Sequence, residues 1–304
     1  MRIPCFFLLV AVLSIVTGSS AAANDAGDWT AVRSPGRVAS IAVRVAKTAN
    51  GVSQLTYRVK YRGKIVIAES RLGLDVSGPA DFGSNPRIES IDHQSIDRKI
   101  SLPLGKNNPT RDRFSETRVH LVNAQGHRWE LTLRAYDEGV AFRYHIAKQP
   151  KLKQITVRSE RTEFNLTDQP TVHFLTADGF KSAHEGPYRE ARLADLPTRK
   201  LIDLPSLFVR PDGGGLAITE ARLRDFPGMY LWRDEASSTN LQVKLSPLPG
   251  EKDKVALVQS PLDGPWRVVM LADHPGKLME NNMVVLLNDP SAMDASWVKP
   301  GKST

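Results

Sequence analysis

Two glutamates, Glu185 and Glu220, stand at positions where a carboxylate could take part in chemistry. Glu185 lies in an irregular stretch after Asp178-Gly179 and before Gly186-Pro187. A sheet protein commonly presents its functional groups on such loops. Glu220 ends a predicted strand in the central segment Leu204–Trp232. Because ionised carboxylates are general acids, bases and ligands of hard cations, these two residues are the candidates for chemistry.

Each glutamate also has a purely structural interpretation. Glu185 can be a solvated loop residue, and Glu220 can pair with a nearby arginine such as Arg222 or Arg224. A surface ion pair of that kind contributes little to stability. The residues alone leave both interpretations open.

The tryptophans are the second candidate group, since an indole ring can stack on a sugar. Trp129 and Trp266 lie inside alternating strands, which favours packing in the core. For Trp232 and Trp297 the residues favour neither packing nor stacking on a sugar. The sequence therefore predicts no substrate-binding residue by name.

Several common catalytic motifs are excluded. The segment His184–Tyr188 (H-E-G-P-Y) begins like the zinc-protease motif H-E-x-x-H, but it ends in Tyr and contains a helix-breaking Pro. No G-x-S-x-G nucleophile elbow is present. Gly213–Gly215 opens no helix and lacks the Lys-Ser/Thr of a phosphate loop. The seven histidines are dispersed, which favours surface or hydrogen-bonded roles over metal binding.

The elements that must position these residues are strands. Apolar residues alternate with polar ones in short runs separated by Gly, Asp and Asn turns, and no amphipathic helical window of 12 residues or more occurs. Residues 77–114 lose the alternation and are predicted to form irregular strands and a long loop. The pattern favours an antiparallel sandwich or barrel, an all-β fold. The predicted strands centre on Ile41–Val45, Leu55–Tyr61, Ile65–Ile67, Val119–Leu121, Trp129–Ala135, Val140–Tyr144, Ile155–Val157, Phe164–Leu166, Val172–Phe174, Leu207–Val209, Leu216–Ile218, Met229–Trp232, Leu241–Leu245 and Trp266–Met270, with a last buried run at Val284–Leu287.

The first 23 residues are predicted to be a cleaved signal peptide. Arg2 supplies the positive charge, Cys5–Val16 the apolar stretch and Ala21–Ala23 the small-residue cleavage site. This stretch is shorter than the roughly 20 residues of a membrane span, and no later stretch qualifies, so no stable membrane anchor is expected. We therefore expect the protein to be periplasmic or secreted. Cys5 is the only cysteine, so the mature chain has no thiol and no disulfide.

The formal net charge of +8 could indicate an anionic partner. However, the basic residues are scattered among acidic ones, without a run of five and without a basic helix. Export also argues against nucleic acid, so no nucleic-acid partner is expected. About 280 mature residues can bury a core large enough to hold one all-β domain without disulfides.

Seven segments occur in one order and cover nearly all of the predicted mature chain. They are Ser34-Pro35, Tyr61–Lys64 with Ser70–Leu74, Tyr136–Tyr144, Tyr188–Leu193, the I-T-E-A block Ile218–Ala221 with its continuation to Leu231, Pro265–Val269, and Ala295–Lys302. In this order they resemble the amino-terminal domain of glycoside hydrolase family 97, a family of exported bacterial α-glucosidases and α-galactosidases.

The resemblance implies an antiparallel β-super-sandwich, similar to galactose mutarotase, over residues 24–290, and a linker over 291–304. In the family, a (β/α)₈ barrel with the catalytic carboxylates follows, and the sandwich packs on it and lends one Glu to an active-site calcium ion. By similarity of the segment Glu185–Leu193, that calcium ligand is Glu185, with Glu220 as the second choice. A barrel needs roughly 200–250 further residues, so no catalytic residue is expected in this chain.

Two functions from different classes follow as hypotheses. In the first, the chain is the scaffold domain of an α-glycosidase acting on α-linked oligosaccharides, with the catalytic barrel supplied in cis or in trans. In the second, the chain is a free-standing periplasmic carbohydrate-binding module that uses a sheet groove and a Trp. A non-functional remnant is a third alternative that the residues leave open.

Overall fold

The computed structural model describes residues 29–78, 81–102, 107, 109–150, 152–235, 240–290, 292–294 and 297. The predicted signal peptide, residues 1–23, lies outside the described residues. Most of the predicted linker 291–304 lies outside them too. Within the described ranges, no helix is both long and apolar enough to cross a lipid bilayer.

Strands dominate the described part of the chain, as the alternating pattern predicts. In chain order the elements are β1 (Thr30–Arg33), β2 (Ala39–Lys47), β3 (Ser53–Tyr61), β4 (Lys64–Arg71), β5 (Leu74–Val76), β6 (Asp81–Phe82), β7 (Arg87–Ile100), β8 (Thr110–Val122), β9 (Arg128–Tyr136), β10 (Gly139–Ile146), β11 (Gln154–Glu160), β12 (Glu163–Asn165), β13 (Thr171–Phe174), β14 (Thr176–Ala177), β15 (Arg189–Arg192), β16 (Leu201–Ile202), β17 (Ser206–Val209), β18 (Gly215–Ala221), β19 (Met229–Trp232), β20 (Asn240–Leu245), β21 (Ala256–Gln259), β22 (Leu262–Asp263), β23 (Trp266–Ala272) and α1 (Met283–Leu287), with 3₁₀ turns at Leu193–Asp195 and Pro275–Glu280.

The strands form one large sheet and three smaller ones, and the strand pairs in them are antiparallel. The large sheet has the order β15-β13-β17-β18-β23-β10-β9-β8-β7, with β22 paired to β10. The smaller sheets have the orders β1-β2-β3-β4, β21-β11-β5-β6 and β12-β20-β19-β16-β14. One hydrophobic core contains side chains from all four sheets. The architecture is the antiparallel β-super-sandwich that the resemblance implies, and the all-β prediction is confirmed.

The core is built from the alternate residues of each strand that face inward. Tyr57 of β3 packs on Phe142 of β10 with ring centroids 5.1 Å apart, and on Phe164 of β12 at 6.5 Å. Trp129 and Trp266 are buried, with 3% and 1% of their surface exposed. Their predicted packing role is therefore confirmed. Burying one such large side chain contributes about 1.5–3 kcal/mol or more.

The predicted hairpins agree with the structure. The meander β8-β9-β10 has the strands and turns that the sequence indicates. The turn between β3 and β4 is made by Arg62 and Gly63, whose φ angles are +48° and +80°. Positive φ at both central residues is the two-residue hairpin geometry that matches the twist of the strands. The turn therefore fixes the register of this hairpin.

The prediction of a long irregular region over residues 77–114 is wrong. The structure places β7 and the first part of β8 there, paired over most of their length as a long hairpin. The strand β7 is the edge of the large sheet and has no buried residue. Because neither face is fully covered, no apolar alternation is required along it. Charged side chains along an exposed edge also oppose pairing with another chain.

The last predicted buried run, Val284–Leu287, forms the one-turn helix α1. It packs on the outer face of the large sheet against β18 and β23. There Met283, Leu286 and Leu287 join Trp266 in a second, smaller apolar cluster. This short run is thus a helix that covers a face of the sheet, and it does not add a strand to the sheet.

Gly139, the first residue of β10, tests this packing. Its φ is +153°, and a Cβ placed there would lie 2.4 Å from the Val269 carbonyl oxygen and 2.7 Å from Met283 Sδ. The variant Gly139→Ala is expected to lower the free energy of unfolding, measured by urea titration, by about 2–3 kcal/mol. Alanine is strained at this φ angle, and its Cβ would clash with the Val269 oxygen and with Met283. Gly126→Ala is the control, because Gly126 has φ +82° but open space around it. Equal losses for the two variants would contradict the clash.

Candidate functional site

Glu185 lies on an exposed loop between β14 and β15. This loop runs over the surface from Asp178 to Tyr188 without regular hydrogen bonding. The Glu185 side chain is exposed, and within the described residues its carboxylate makes no hydrogen bond or ion pair. The loop therefore presents the Glu185 carboxylate, like that of Asp178 at its start, to the outside of the domain without a partner among the described residues.

The residue before Glu185 is held firmly. His184 Nδ1 lies 2.8 Å from Asp203 Oδ2, and the His184 ring stacks on Tyr230 with centroids 6.0 Å apart and planes 13° apart. The His184 amide donates to Ser182 Oγ at 3.2 Å. The backbone of His184 is left-handed, with φ +57°. We call His184, Asp203 and Tyr230 the clamp.

The residue after Glu185 is held by packing. A Cβ on Gly186 would lie 3.0 Å from Leu175 Cδ1, so the loop backbone rests against that side chain. Earlier in the loop, Phe180 packs edge-on against Tyr230 with centroids 5.8 Å apart. The loop is thus attached on both sides of Glu185 although Glu185 itself is exposed.

Glu220 has a different environment. It lies on β18 directly opposite Arg267 of β23, and Arg267 Nη1 donates to its carboxylate at 2.6 Å. The Met229 amide also donates to Glu220, at 3.3 Å. Only 16% of the Glu220 side chain is exposed. Burial raises the pKa of Glu220, and Arg267 and the Met229 amide lower it in part.

The structural interpretation of Glu220 as the partner of an arginine holds, but the partner is Arg267 and neither Arg222 nor Arg224. Both of those arginines instead pair with Asp289, at 2.9 Å and 3.3 Å. Arg222 and Arg224 follow Glu220 along the chain, whereas Arg267 comes from the neighbouring strand. The partner was missed because a cross-strand neighbour depends on register.

Arg267 also ties Glu220 to the opposite sheet. Its guanidinium donates with two nitrogens to Glu160 of β11, one of them at 2.9 Å, and both side chains are 1% exposed. Thr162 Oγ1 donates to Glu160 at 2.7 Å. Burial disfavours the charged guanidinium, but Glu160 and then Glu220 outweigh it and raise the pKa of Arg267. Glu160, Arg267 and Glu220 are therefore a structural ion network inside the core.

Calcium binding by this domain alone does not fit the residues. Calcium takes about 6–8 oxygen ligands. Within the described ranges, no group of three or more His, Cys, Asp or Glu could hold a metal ion. The Glu220 carboxylate is paired with Arg267, and the Asp203 carboxylate is in contact with His184 Nδ1. Glu185 is one of several exposed carboxylates without a hydrogen bond or ion pair in the described part of the chain, and it is the one that the resemblance selects as a calcium ligand.

A cleft of about 360 Å³, partly open to solvent, lies beside the same loop. Phe180 and Trp232 contribute aromatic surface to it. Its charged lining is mixed, with the basic residues Arg71, Arg158, Arg161, Lys244 and Lys252 and the acidic residues Glu160, Glu163 and Asp234. Lys244 Nζ lies 5.3 Å from the Trp232 ring centroid. The sequence singled out Trp232 but not the charged residues, which come from separate segments of the chain. Only the pairing of β19 with β20 brings Trp232 and Lys244 together.

Comparison with known proteins gives a consistent result. The sequence profile of the family described as "Glycosyl-hydrolase 97 N-terminal" matches residues 32–290. A retaining alpha-galactosidase of Bacteroides thetaiotaomicron is 26% identical over 275 residues, which are 82% of this chain and 40% of that protein.

Two solved structures are similar in fold. A glycoside hydrolase family 97 enzyme from Pseudoalteromonas sp. strain K8, in complex with acarbose, superposes with a TM-score of 0.81 at 27% identity, over 90% of this chain and 40% of that one. A beta-arabinopyranosidase superposes with a TM-score of 0.72 at 25% identity, over 81% of this chain and 40% of that one. The chain thus spans about 40% of the length of these relatives.

Proposed function

The chain belongs to the glycosyl-hydrolase 97 N-terminal family, and we propose that it is the scaffold domain of an α-glycosidase. In this role it packs on a catalytic barrel, in cis or in trans, and places Glu185 as one ligand of a calcium ion in the active site. The substrates are α-linked oligosaccharides. The signal-like residues 1–23 support export to the periplasm or the medium.

The observation that carries the proposal is the state of Glu185. An exposed carboxylate on a mobile loop would be an ordinary surface residue, whereas both sequence neighbours of Glu185 are attached to the sheet. A metal ligand has to be held in place in this way, because ordering it at the moment of binding costs conformational entropy.

When bound, calcium supplies positive charge that polarises oxygen atoms in the active site. The part of this chain is to hold one carboxylate oxygen at a fixed place on the domain surface. Glu185 does so without a neutralising partner among the described residues, so its full negative charge is available to a cation. The remaining ligands belong to the catalytic domain.

The domain is proposed not to be catalytic by itself. Glycoside cleavage uses two carboxyl groups about 5–10 Å apart across the scissile bond. The other candidate glutamate, Glu220, and its neighbour Glu160 are both occupied by Arg267. Neither can act as a nucleophile or a general acid while the ion network is intact.

The proposal is tested by adding the catalytic domain. A reading frame for a (β/α)₈ barrel is sought in the same gene or beside it, and the barrel is produced with and without this chain. We expect hydrolysis of nitrophenyl α-glucoside or α-galactoside only when both parts are present, and loss of that activity with a calcium chelator that added calcium reverses. Full activity of the barrel without this chain, or the absence of any barrel frame, would overturn the proposal.

A second function is favoured by the cleft beside Trp232. Clefts of about 300–1,000 Å³ with aromatic walls and a few polar groups are typical of small-molecule sites. Trp232 is half-buried, with its Nε1 donating to Asp234 at 2.5 Å, which fixes the ring plane. A free-standing carbohydrate-binding module could use this surface.

Calorimetry separates the second function from the first. The isolated chain is titrated with maltooligosaccharides and with α-galactosides at millimolar concentration. Binding that is lost in Trp232→Ala but kept in Trp297→Ala would support the module, since Trp297 is exposed and is not among the residues that line the cleft. No heat at millimolar sugar would eliminate it.

A further inference from the structure

We infer that His184 is a positioning residue, which fixes the loop that presents Glu185 by binding Asp203 and Tyr230. The contacts belong to this chain alone and can be tested without calcium or a catalytic domain. Only the consequence for metal binding rests on the proposed function of Glu185.

The backbone of His184 is the first observation. Its φ of +57° lies in the left-handed region, which few residues other than Gly adopt. Such a conformation has a free-energy cost and persists only where surrounding contacts enforce it. At His184 those contacts are the ones its side chain makes with Asp203 and Tyr230 and the bond from its amide to Ser182 Oγ. His184 is itself 53% exposed, so burial does not supply them.

Asp203 is the first anchor. It is 19 residues further along the chain, and its side chain is only 12% exposed. Its Oδ1 accepts from the Leu204 amide at 2.9 Å, and its backbone amide donates to the Leu175 carbonyl at 2.8 Å. Because Asp203 is fixed by these bonds, its 2.8 Å contact with His184 Nδ1 fixes the imidazole.

Tyr230 is the second anchor. It lies on β19 in register with Lys244 of β20, and 4% of it is exposed. The His184 ring lies nearly parallel to the Tyr230 ring, whereas Phe180 meets the same ring edge-on. One rigid aromatic side chain thus contacts the loop at two points, and the more C-terminal of them is adjacent to Glu185.

The combination has a clear consequence for Glu185. Its own side chain is held by nothing in the described chain, so it can bind a ligand, while its backbone is restrained by His184 on one side and by Gly186 against Leu175 on the other. A free carboxylate on a restrained backbone is what a preorganised ligand needs.

Backbone ¹⁵N relaxation of the isolated full chain tests the clamp. We expect His184→Ala and Tyr230→Leu to lower the order parameters of residues 181–186 from about 0.85, the value of rigid backbone, to below about 0.6. Tyr230→Phe keeps the ring and should retain the backbone order. His184→Asn should restore part of it, because Asn tolerates the left-handed backbone and can still hydrogen-bond to Asp203.

His120→Ala is the matched control. His120 also contacts a carboxylate, with Nε2 2.8 Å from Asp92, but it lies on β8 far from the loop in sequence. This variant should leave the order parameters of residues 181–186 unchanged. Order parameters in His184→Ala and Tyr230→Leu equal to those of the unaltered chain would overturn the inference, whatever is found for calcium.

The failure of the proposed function looks different. If the clamp variants loosen the loop but the calcium affinity of the two-domain enzyme is the same in them as in the unaltered protein, His184 positions the loop and Glu185 is not a calcium ligand. If the loop loosens and the calcium dissociation constant rises in parallel, both statements hold.

Discussion

Replacing Arg267 by methionine is expected to lower the free energy of unfolding by about 3–5 kcal/mol. The loss arises because Glu160, the partner of Arg267, remains in the core. Glu160 is 1% exposed and receives two guanidinium hydrogen bonds, so without Arg267 a carboxylate stays buried without a counter-ion. Glu220 loses its ion pair in the same substitution. The measurement is urea unfolding at neutral pH.

Two comparisons make this prediction specific. Arg111→Met removes an arginine from a surface pair with Asp97, in which the side chains are 58% and 51% exposed, and should cost less than about 1 kcal/mol. The double variant Arg267→Met with Glu160→Gln should be more stable than Arg267→Met alone, because the buried charge is gone. Similar losses for Arg267→Met and Arg111→Met would show that the core network is not what the structure indicates.

Glu185→Gln in the two-domain enzyme is expected to weaken calcium binding about 10–100-fold. Replacing even a residue that only hydrogen-bonds to a metal ligand lowers metal affinity by about that factor. Glutamine keeps the length of the side chain but removes its charge, so folding should be unaffected at this exposed position. Activity at saturating calcium should recover in part. The measurement is α-glycosidase activity as a function of free calcium.

Glu190→Gln is the control for Glu185→Gln. Glu190 is a second exposed glutamate five positions along, on β15, with His173 3.8 Å away. It should leave the calcium dependence unchanged. If both variants behave like the unaltered enzyme, Glu185 is a solvated loop residue, the plain interpretation that the sequence already allows.

Much of the fold could be predicted because the core strands have one covered face. The alternation in β9 and β10 follows directly from which residues reach the core. The edge strand β7 could not be predicted in this way, since most of its residues are exposed and nothing selects their polarity. Backbone hydrogen bonds pair β7 with β8, and the order of apolar and polar side chains along β7 gives little sign of that pairing.

The candidate site could be predicted in part. A glutamate flanked by Gly and Pro indicates a loop, and the structure places Glu185 on one. The clamp could not be predicted, because Asp203 and Tyr230 are distant in sequence and reach His184 only after β16 pairs with β19. The same limit applies to Glu220, whose partner Arg267 is 47 positions away.

Calcium titration of the separated parts tests the central claim most directly. The chain alone, the catalytic domain alone and the two together are titrated with calcium by calorimetry. We expect weak or no binding by this chain alone, and tight one-to-one binding with both parts present that Glu185→Gln weakens about 10–100-fold. Binding by the catalytic domain alone that is as tight as binding by the pair would contradict this expectation.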